Sequence, residues 1–189
     1  MPVEDKEHPR VQLNLYDNSW YKPGSAIKII LWMVVSCLFF KHSLAVFNSL
    51  KIVLLRLFGA QIGKGVLIKP SVTIKYPWLL TVGNYCWIGE GVWIDNLAEV
   101  RIGDHVCLSQ GAMLLTGNHN FTKATFDLIV KPIILKDGVW IGAQSVVCPG
   151  VICESHSILA VQSVATKRLG AFSVYQGNPA VLLKERVIK

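Results

Sequence analysis

Apolar side chains recur at every sixth position from Leu135 onward: Leu135, Ile141, Val147, Cys153, Leu159 and Ala165. Four residues after each of the first five stands a small or branched residue, namely Val139, Ser145, Val151, Ser157 and Ser163. A six-residue unit is too short for a helix pair. It suits one flat face of a triangular coil, a short strand and a turn, with three faces to the coil. The leading aliphatic side chain then points inward and stacks on its equivalent one coil away. Each coil buries its apolar face only on its neighbours, so the pattern predicts a solenoid.

The same register runs upstream with interruptions. Ile62, Ile68 and Ile74 form one triplet, Val82, Ile88 and Ile94 a second, and Ile102, Leu108 and Leu114 a third. Successive triplets are 20 residues apart, whereas Ile102 and Leu135 are 33 apart. The third coil therefore carries one long excursion, residues 116–132. Long structured insertions in compact folds tend to be functional. The pattern predicts an extended arm over residues 1–24, a hydrophobic helical segment over 25–59, an all-β solenoid over 60–168 and a closing cap over 169–189.

The segment from Ser25 to Phe58 is different. Ser25 is a candidate helix cap, and two apolar runs flank Lys41-His42-Ser43. Each run is shorter than the roughly 18 to 20 residues that span a bilayer as a helix. Three readings stand at this point. Two helices bury one face on the base of the solenoid, since exposed solenoid ends need caps. Alternatively the segment lies in the plane of a membrane surface, with Lys22, Lys28, Lys41, Lys51 and Arg56 meeting anionic lipid. A true span is the third.

Composition narrows the function. Lys and Arg (19) exceed Asp and Glu (12) by seven. That favours an anionic ligand or surface, but no dense basic run or recognition motif points to nucleic acid. Five cysteines at irregular spacing, with no CxxC pair, predict a reduced, cytoplasmic protein. The start of the chain lacks the pattern of a signal peptide.

His119 is the single histidine of the excursion, in Thr116-Gly117-Asn118-His119-Asn120. Imidazole is the side chain suited to general-base work near neutrality. The alternative is a histidine that only stabilises its loop. His105 and His156 each follow a leading apolar residue by three, at a coil corner. The three histidines share no single phase of the repeat, so no metal site is expected. No phosphate loop and no GxSxG elbow are present.

These residues together resemble a known family. The hexapeptide repeats, the histidine-bearing loop, Val139-Trp140-Ile141-Gly142 and Gly177-Asn178-Pro179-Ala180 look like the left-handed parallel β-helix acetyltransferases, which include galactoside, maltose and nodulation acetyltransferases. Thr116-Gly117-Asn118-His119, Thr125-Phe126-Asp127-Leu128 and Lys131-Pro132-Ile133 resemble, more narrowly, the colanic acid biosynthesis acetyltransferases. The resemblance spans about residues 50–183. It implies a homotrimer with sites between adjacent subunits, acetyl-CoA as donor and no metal. It makes His119 the catalytic base. It places the Gly142 and Ala143 N–H groups beside the thioester, Ala160 and Val161 along the pantetheine, and Thr166, Lys167 and Arg168 near the CoA phosphates. Trp140 would line the cleft. Asn96, Asn118 and Asp127 would face the acceptor, with Asp127 orienting either the loop or the acceptor. The expected reaction is O-acetylation of a sugar hydroxyl in cell-surface glycan synthesis, on an acceptor that is lipid-linked if the helical segment meets a membrane. N-acetylation of an amino sugar or xenobiotic is the alternative, and a non-catalytic β-helix scaffold a further one.

Overall fold

The computed structural model describes residues 10–189. Three parallel sheets wrap one apolar core. The first face holds Gln61–Ile62, Leu80–Val82, Val100–Ile102, Ile133–Leu135 and Ile152–Cys153. The second holds Leu67–Ile68, Trp87–Ile88, Cys107–Leu108, Trp140–Ile141 and Ile158–Leu159, and the third Thr73–Ile74, Trp93–Asp95, Met113–Leu115, Val146–Val147 and Val164–Ala165. Strand pairing follows the hexapeptide arithmetic. Ile62, Val82, Ile102, Leu135 and Cys153 align in turn on the first face. The 33-residue step from Ile102 to Leu135 is thus a single coil with its insertion looped out. Five coils are complete and a shortened sixth follows, in which Leu169 bridges Cys153 and Val174-Tyr175 pair with Ile158-Leu159.

The leading residues and the residues four later are both buried, so each coil offers two inward layers. Small polar side chains enter the second layer where a hydroxyl finds a partner. Ser145 Oγ donates to the Ala160 carbonyl at 2.6 Å, and Ser163 Oγ accepts from Gly177 N at 3.0 Å. Two corners turn on non-glycine residues of positive φ. Tyr85, His105, His156 and Phe172 serve the first-to-second corner, and Ser71, Gln144 and Gln162 the second-to-third. Rings stack at the first of these, Tyr85 on His105 at 5.3 Å and His156 on Phe172 at 4.7 Å.

Every excursion in the first three coils leaves from the third corner, between third and first faces. The first contains a helical turn at Pro77–Leu79. The third is the long one, and it is a hairpin: Gly117–His119 pairs antiparallel with Leu128–Val130. Buried Thr116 anchors its base, donating to the Asp95 carbonyl and accepting from Ala98 N, both at 2.9 Å. Residues 10–24 of the expected arm pack along this same corner. Gln12 N donates to the Ala124 carbonyl at 2.8 Å, and Tyr21 Oη to the Leu97 carbonyl at 2.6 Å. The arm's first nine residues lie outside the described residues.

Two helices follow, α1 (Ala26–Phe39) and α2 (Asn48–Leu57). Ser25 caps α1, its Oγ accepting from Lys28 N at 3.3 Å. The first coil has no coil beneath it, so its edge carbonyls and N–H groups need other partners. The helices supply them on all three faces. Arg56 Nη2 donates to the Ile62 carbonyl at 2.7 Å on the first. On the second, Asn48 accepts from Ile68 N at 2.7 Å and donates to the Val66 carbonyl at 3.0 Å, while Lys51 Nζ donates to the Ile68 and Lys69 carbonyls at 3.1 and 2.8 Å. On the third, Trp32 Nε1 donates to the Ile74 carbonyl at 2.8 Å. The reading that sent Lys51 and Arg56 to lipid is corrected here: both are spent on the coil edge, and Lys51 is fully buried. No helix among the described residues is long and apolar enough to cross a membrane.

The C-terminal segment is a strand pair. Ser173–Gly177 and Ala180–Glu185 run antiparallel around Asn178-Pro179 and extend the second face. Arg186 Nη1 ties the end back, donating to the Gly138 carbonyl at 2.9 Å and to the His156 carbonyl at 3.1 Å.

Candidate active site

His119 ends the outgoing strand of the hairpin. Its Nδ1 lies 2.9 Å from the Phe126 carbonyl. A carbonyl oxygen only accepts, so Nδ1 carries the proton of the neutral ring and Nε2 keeps its lone pair. The ring stacks on Phe126 at 4.4 Å and 7°. Tyr16 of the arm packs on it at 5.6 Å and 57°. The imidazole is therefore fixed in orientation and tautomer while remaining half-buried. Positive φ at Phe126 (51°) turns its carbonyl toward the ring. Neither Tyr16 nor Phe126 carries a periodic signal, so neither was legible as a site residue.

The other expected loop residues serve the hairpin. Asn118 Oδ1 accepts from His119 N at 2.8 Å. Asp127 is gripped by Lys123 Nζ at 2.8 Å and Thr125 Oγ1 at 2.6 Å, which hold its carboxyl below the usual carboxylate range. Both of these partners lie within the hairpin's own turn. Asn96 is corrected. It is fully buried at the third corner, donating to the Tyr76 carbonyl at 2.7 Å and accepting from Tyr76 N at 3.0 Å. No part of its amide faces an acceptor. A stacked corner amide and a ligand amide look alike in sequence.

Gly142, Ala143, Ala160 and Val161 lie at the second-to-third corner on adjacent coils. The Gly142 N–H donates to the Leu159 carbonyl at 2.7 Å and the Ala160 N–H to the Tyr175 carbonyl at 2.8 Å. Both are ladder bonds, so the expectation that the Gly142 N–H faces a thioester is corrected. Ala143 N and Val161 N make no hydrogen bond among the described residues. These two donors sit at one corner, one coil apart, at the spacing of about 4.8 Å that separates strands. Gly142 matters through its missing side chain. A Cβ there would sit 2.6 Å from Val161 N and 2.7 Å from the Ala160 carbonyl carbon.

Trp140 is half-exposed on the second face, its Nε1 donating to Ser109 Oγ at 2.9 Å. Below it on the same face runs a cleft of about 650 Å³, lined by Leu67, Trp87, Cys107, Ser109 and Gln110, with Val46 and Asn48 at the helical end. Thr166, Lys167 and Arg168 are exposed beyond the third face. Arg168 pairs with Glu154, which Lys136 also holds at 2.6 Å. Lys167 makes no ion pair among the described residues, so of the two bases it is the one available to a phosphate. Burial pushes the Cys153 thiol up to about 12 and raises those of Cys86, Cys107 and Cys148, which disfavours the thiolate in each; Cys86 and Cys153 are core filler. Among the described residues no group of three or more His, Cys, Asp or Glu is placed to hold a metal.

The imidazole and the free N–H donors occupy different corners of one chain. His119 leaves between third and first faces, Ala143 between second and third.

A parallel β-solenoid with one histidine-bearing hairpin defines a class, and comparison with known proteins identifies it: the chain belongs to the hexapeptide-repeat β-helix acetyltransferases. It is 41% identical over 167 residues to the "Putative colanic acid biosynthesis acetyltransferase WcaF" of Escherichia coli, covering 88% of this chain and 92% of that protein. It is 26% identical over 129 residues to the galactoside O-acetyltransferase of Escherichia coli, covering 67% and 64% of the two chains. Among solved structures, a hexapeptide-repeat acetyltransferase of Vibrio cholerae complexed with acetyl-coenzyme A superposes with a TM-score of 0.72 at 23% identity, covering 77% of this chain and 81% of that one. A maltose O-acetyltransferase of Clostridium difficile superposes at 0.74 and 21% identity, covering 86% and 88%. No family profile matches the chain.

Proposed function

We propose that this acetyltransferase moves the acetyl group of acetyl-CoA onto a saccharide hydroxyl in cell-surface glycan synthesis. The observation that carries the reading is the Nδ1 contact of His119 with the Phe126 carbonyl, which leaves Nε2 as a base. Nε2 takes the hydroxyl proton as the acceptor oxygen bonds to the thioester carbonyl carbon. The C–S bond then breaks, and His119 returns the proton to the departing thiolate. A free N–H such as that of Ala143 stabilises the oxyanion in between. The second free donor, Val161, continues the row along the pantetheine, and Lys167 meets phosphate. The unpaired state of all five cysteines fits a reducing cytoplasm.

The split between corners supports a trimer. One chain separates base from donors by a face of the prism, whereas a threefold assembly about an axis along the solenoid sets the hairpin of one copy beside the donor corner of the next. Similarity to the colanic acid relative supports a sugar acceptor. Replacing His119→Ala lowers turnover by about 10² to 10⁴ in a CoA-thiol release assay, the usual contribution of a general base. Full turnover by that variant refutes the assignment. Screening hydroxyl against amino acceptors separates O- from N-acetylation.

A further inference from the structure

We propose that α1 and the turn after it lie in the headgroup–acyl boundary of an anionic bilayer. One side of α1 is used by the coil, with Trp32, Ser36 and Phe40 buried. The other side is apolar along its whole length. Ile27, Ile30, Leu31, Met33, Val34 and Leu38 are exposed by 73, 60, 54, 62, 53 and 58%. Helical spacing puts these on one stripe, and no charged side chain interrupts it. Leu44, Val46 and Phe47 continue the patch at 79, 62 and 71% exposure. A soluble helix surface carries polar residues on its outward face, and a contiguous apolar patch of this kind marks an interface.

Charge selects the occupant. Between Asp17 and Glu90 the chain has eight lysines and arginines and no carboxylate; Lys51 and Arg56 are spent on the coil edge and Lys75 pairs with Asp95, which leaves Lys22, Lys28, Lys41, Lys64 and Lys69 without an ion-pair partner among the described residues. Lys22 and Lys41 stand exposed at the two ends of α1, and on the first coil Lys64 is exposed and Lys69 half-buried. An apolar stripe bordered by unopposed cations matches a surface of acyl chains beneath anionic headgroups. At 14 residues α1 is too short to span and long enough to lie in the plane. The placement also has a consequence that rests on the acetyltransferase reading. Val46 belongs both to the patch and to the lining of the cleft on the second face, so a lipid-linked saccharide would reach the cleft from the bilayer.

Flotation of the full chain with vesicles tests this. Binding is expected to phosphatidylcholine vesicles containing about a third phosphatidylglycerol, and to be at least about tenfold weaker without the anionic lipid. The Leu31→Glu/Val34→Glu variant should lose flotation by about tenfold or more while keeping its melting temperature and its turnover of a soluble acceptor. Those residues touch neither core nor site, so docking and acetyl transfer are read separately. Wild-type protein that floats with neither vesicle overturns the proposal. So does a variant whose sedimentation shows a smaller assembly while flotation is unchanged, which would assign the stripe to a second copy of the chain.

Discussion

Deleting one N–H without moving the backbone gives the sharpest test of the oxyanion assignment. Ala143 precedes Gln144, whose φ is +55°, and the pair forms the two central positions of a corner turn. Proline is favoured at the first central position of such a turn, because its fixed φ matches. The chain already uses it: Pro70 precedes Ser71 (φ +60°) at the same corner two coils below Gln110. Ala143→Pro therefore removes a donor that has no protein partner and leaves the ladder bonds of Gly142 and Gln144 intact. The expected stability change is within about 1 kcal/mol, the range for proline at a compatible site. One oxyanion donor is typically worth about 10² to 10³ in kcat, or about 2.7 to 4 kcal/mol of barrier. Steady-state thiol release and urea unfolding, run on the same preparation, give both quantities. A variant with wild-type kcat and unchanged stability refutes the assignment, and a change confined to KM moves the N–H from transition state to ground-state binding. Mixed assemblies add a second check. Co-expression of His119→Ala with Ala143→Pro should recover activity that neither variant shows alone, if base and donor come from different copies.

Three further outcomes follow from the fold. Lys51→Met leaves the Ile68 and Lys69 carbonyls unpaired at about 1 to 3 kcal/mol each, partly offset by relief of the desolvation that holds the Lys51 ammonium below its ordinary pKa, so a net loss of about 2 to 3 kcal/mol is expected by urea unfolding at fixed protein concentration. Gly142→Ala drives a Cβ into the backbone of the next coil and should cost both stability and CoA affinity, measured by thermal melting and calorimetry. Glu154→Gln should flatten the acid limb of the stability curve. Lys136 first, then Arg168, hold the Glu154 carboxyl below its ordinary value, so its contribution is present above that value and is lost as pH falls through the folded-state pKa.

Hydrophobic spacing in this chain specified a great deal. The inward residues, the coil register and the location of the single large insertion all follow from side chains that must alternate between core and solvent on strands two or three residues long. The run from Ile102 to Leu135 shows how far that reaches, since the spacing alone placed the looped-out hairpin and its histidine. Its reach ends at the main-chain groups. Gly142 and Ala143 are adjacent and equally small, yet one N–H is in the ladder and the other is free, a distinction set by the coil above. Asn96 and Lys51 read as polar residues open to ligand or lipid. Three-dimensional packing turned both inward, because a corner and an open sheet edge leave backbone groups that only a buried polar side chain can satisfy. Periodicity records which way a side chain points. What waits at the other end is decided by segments far apart in sequence, and only the folded chain brings those together.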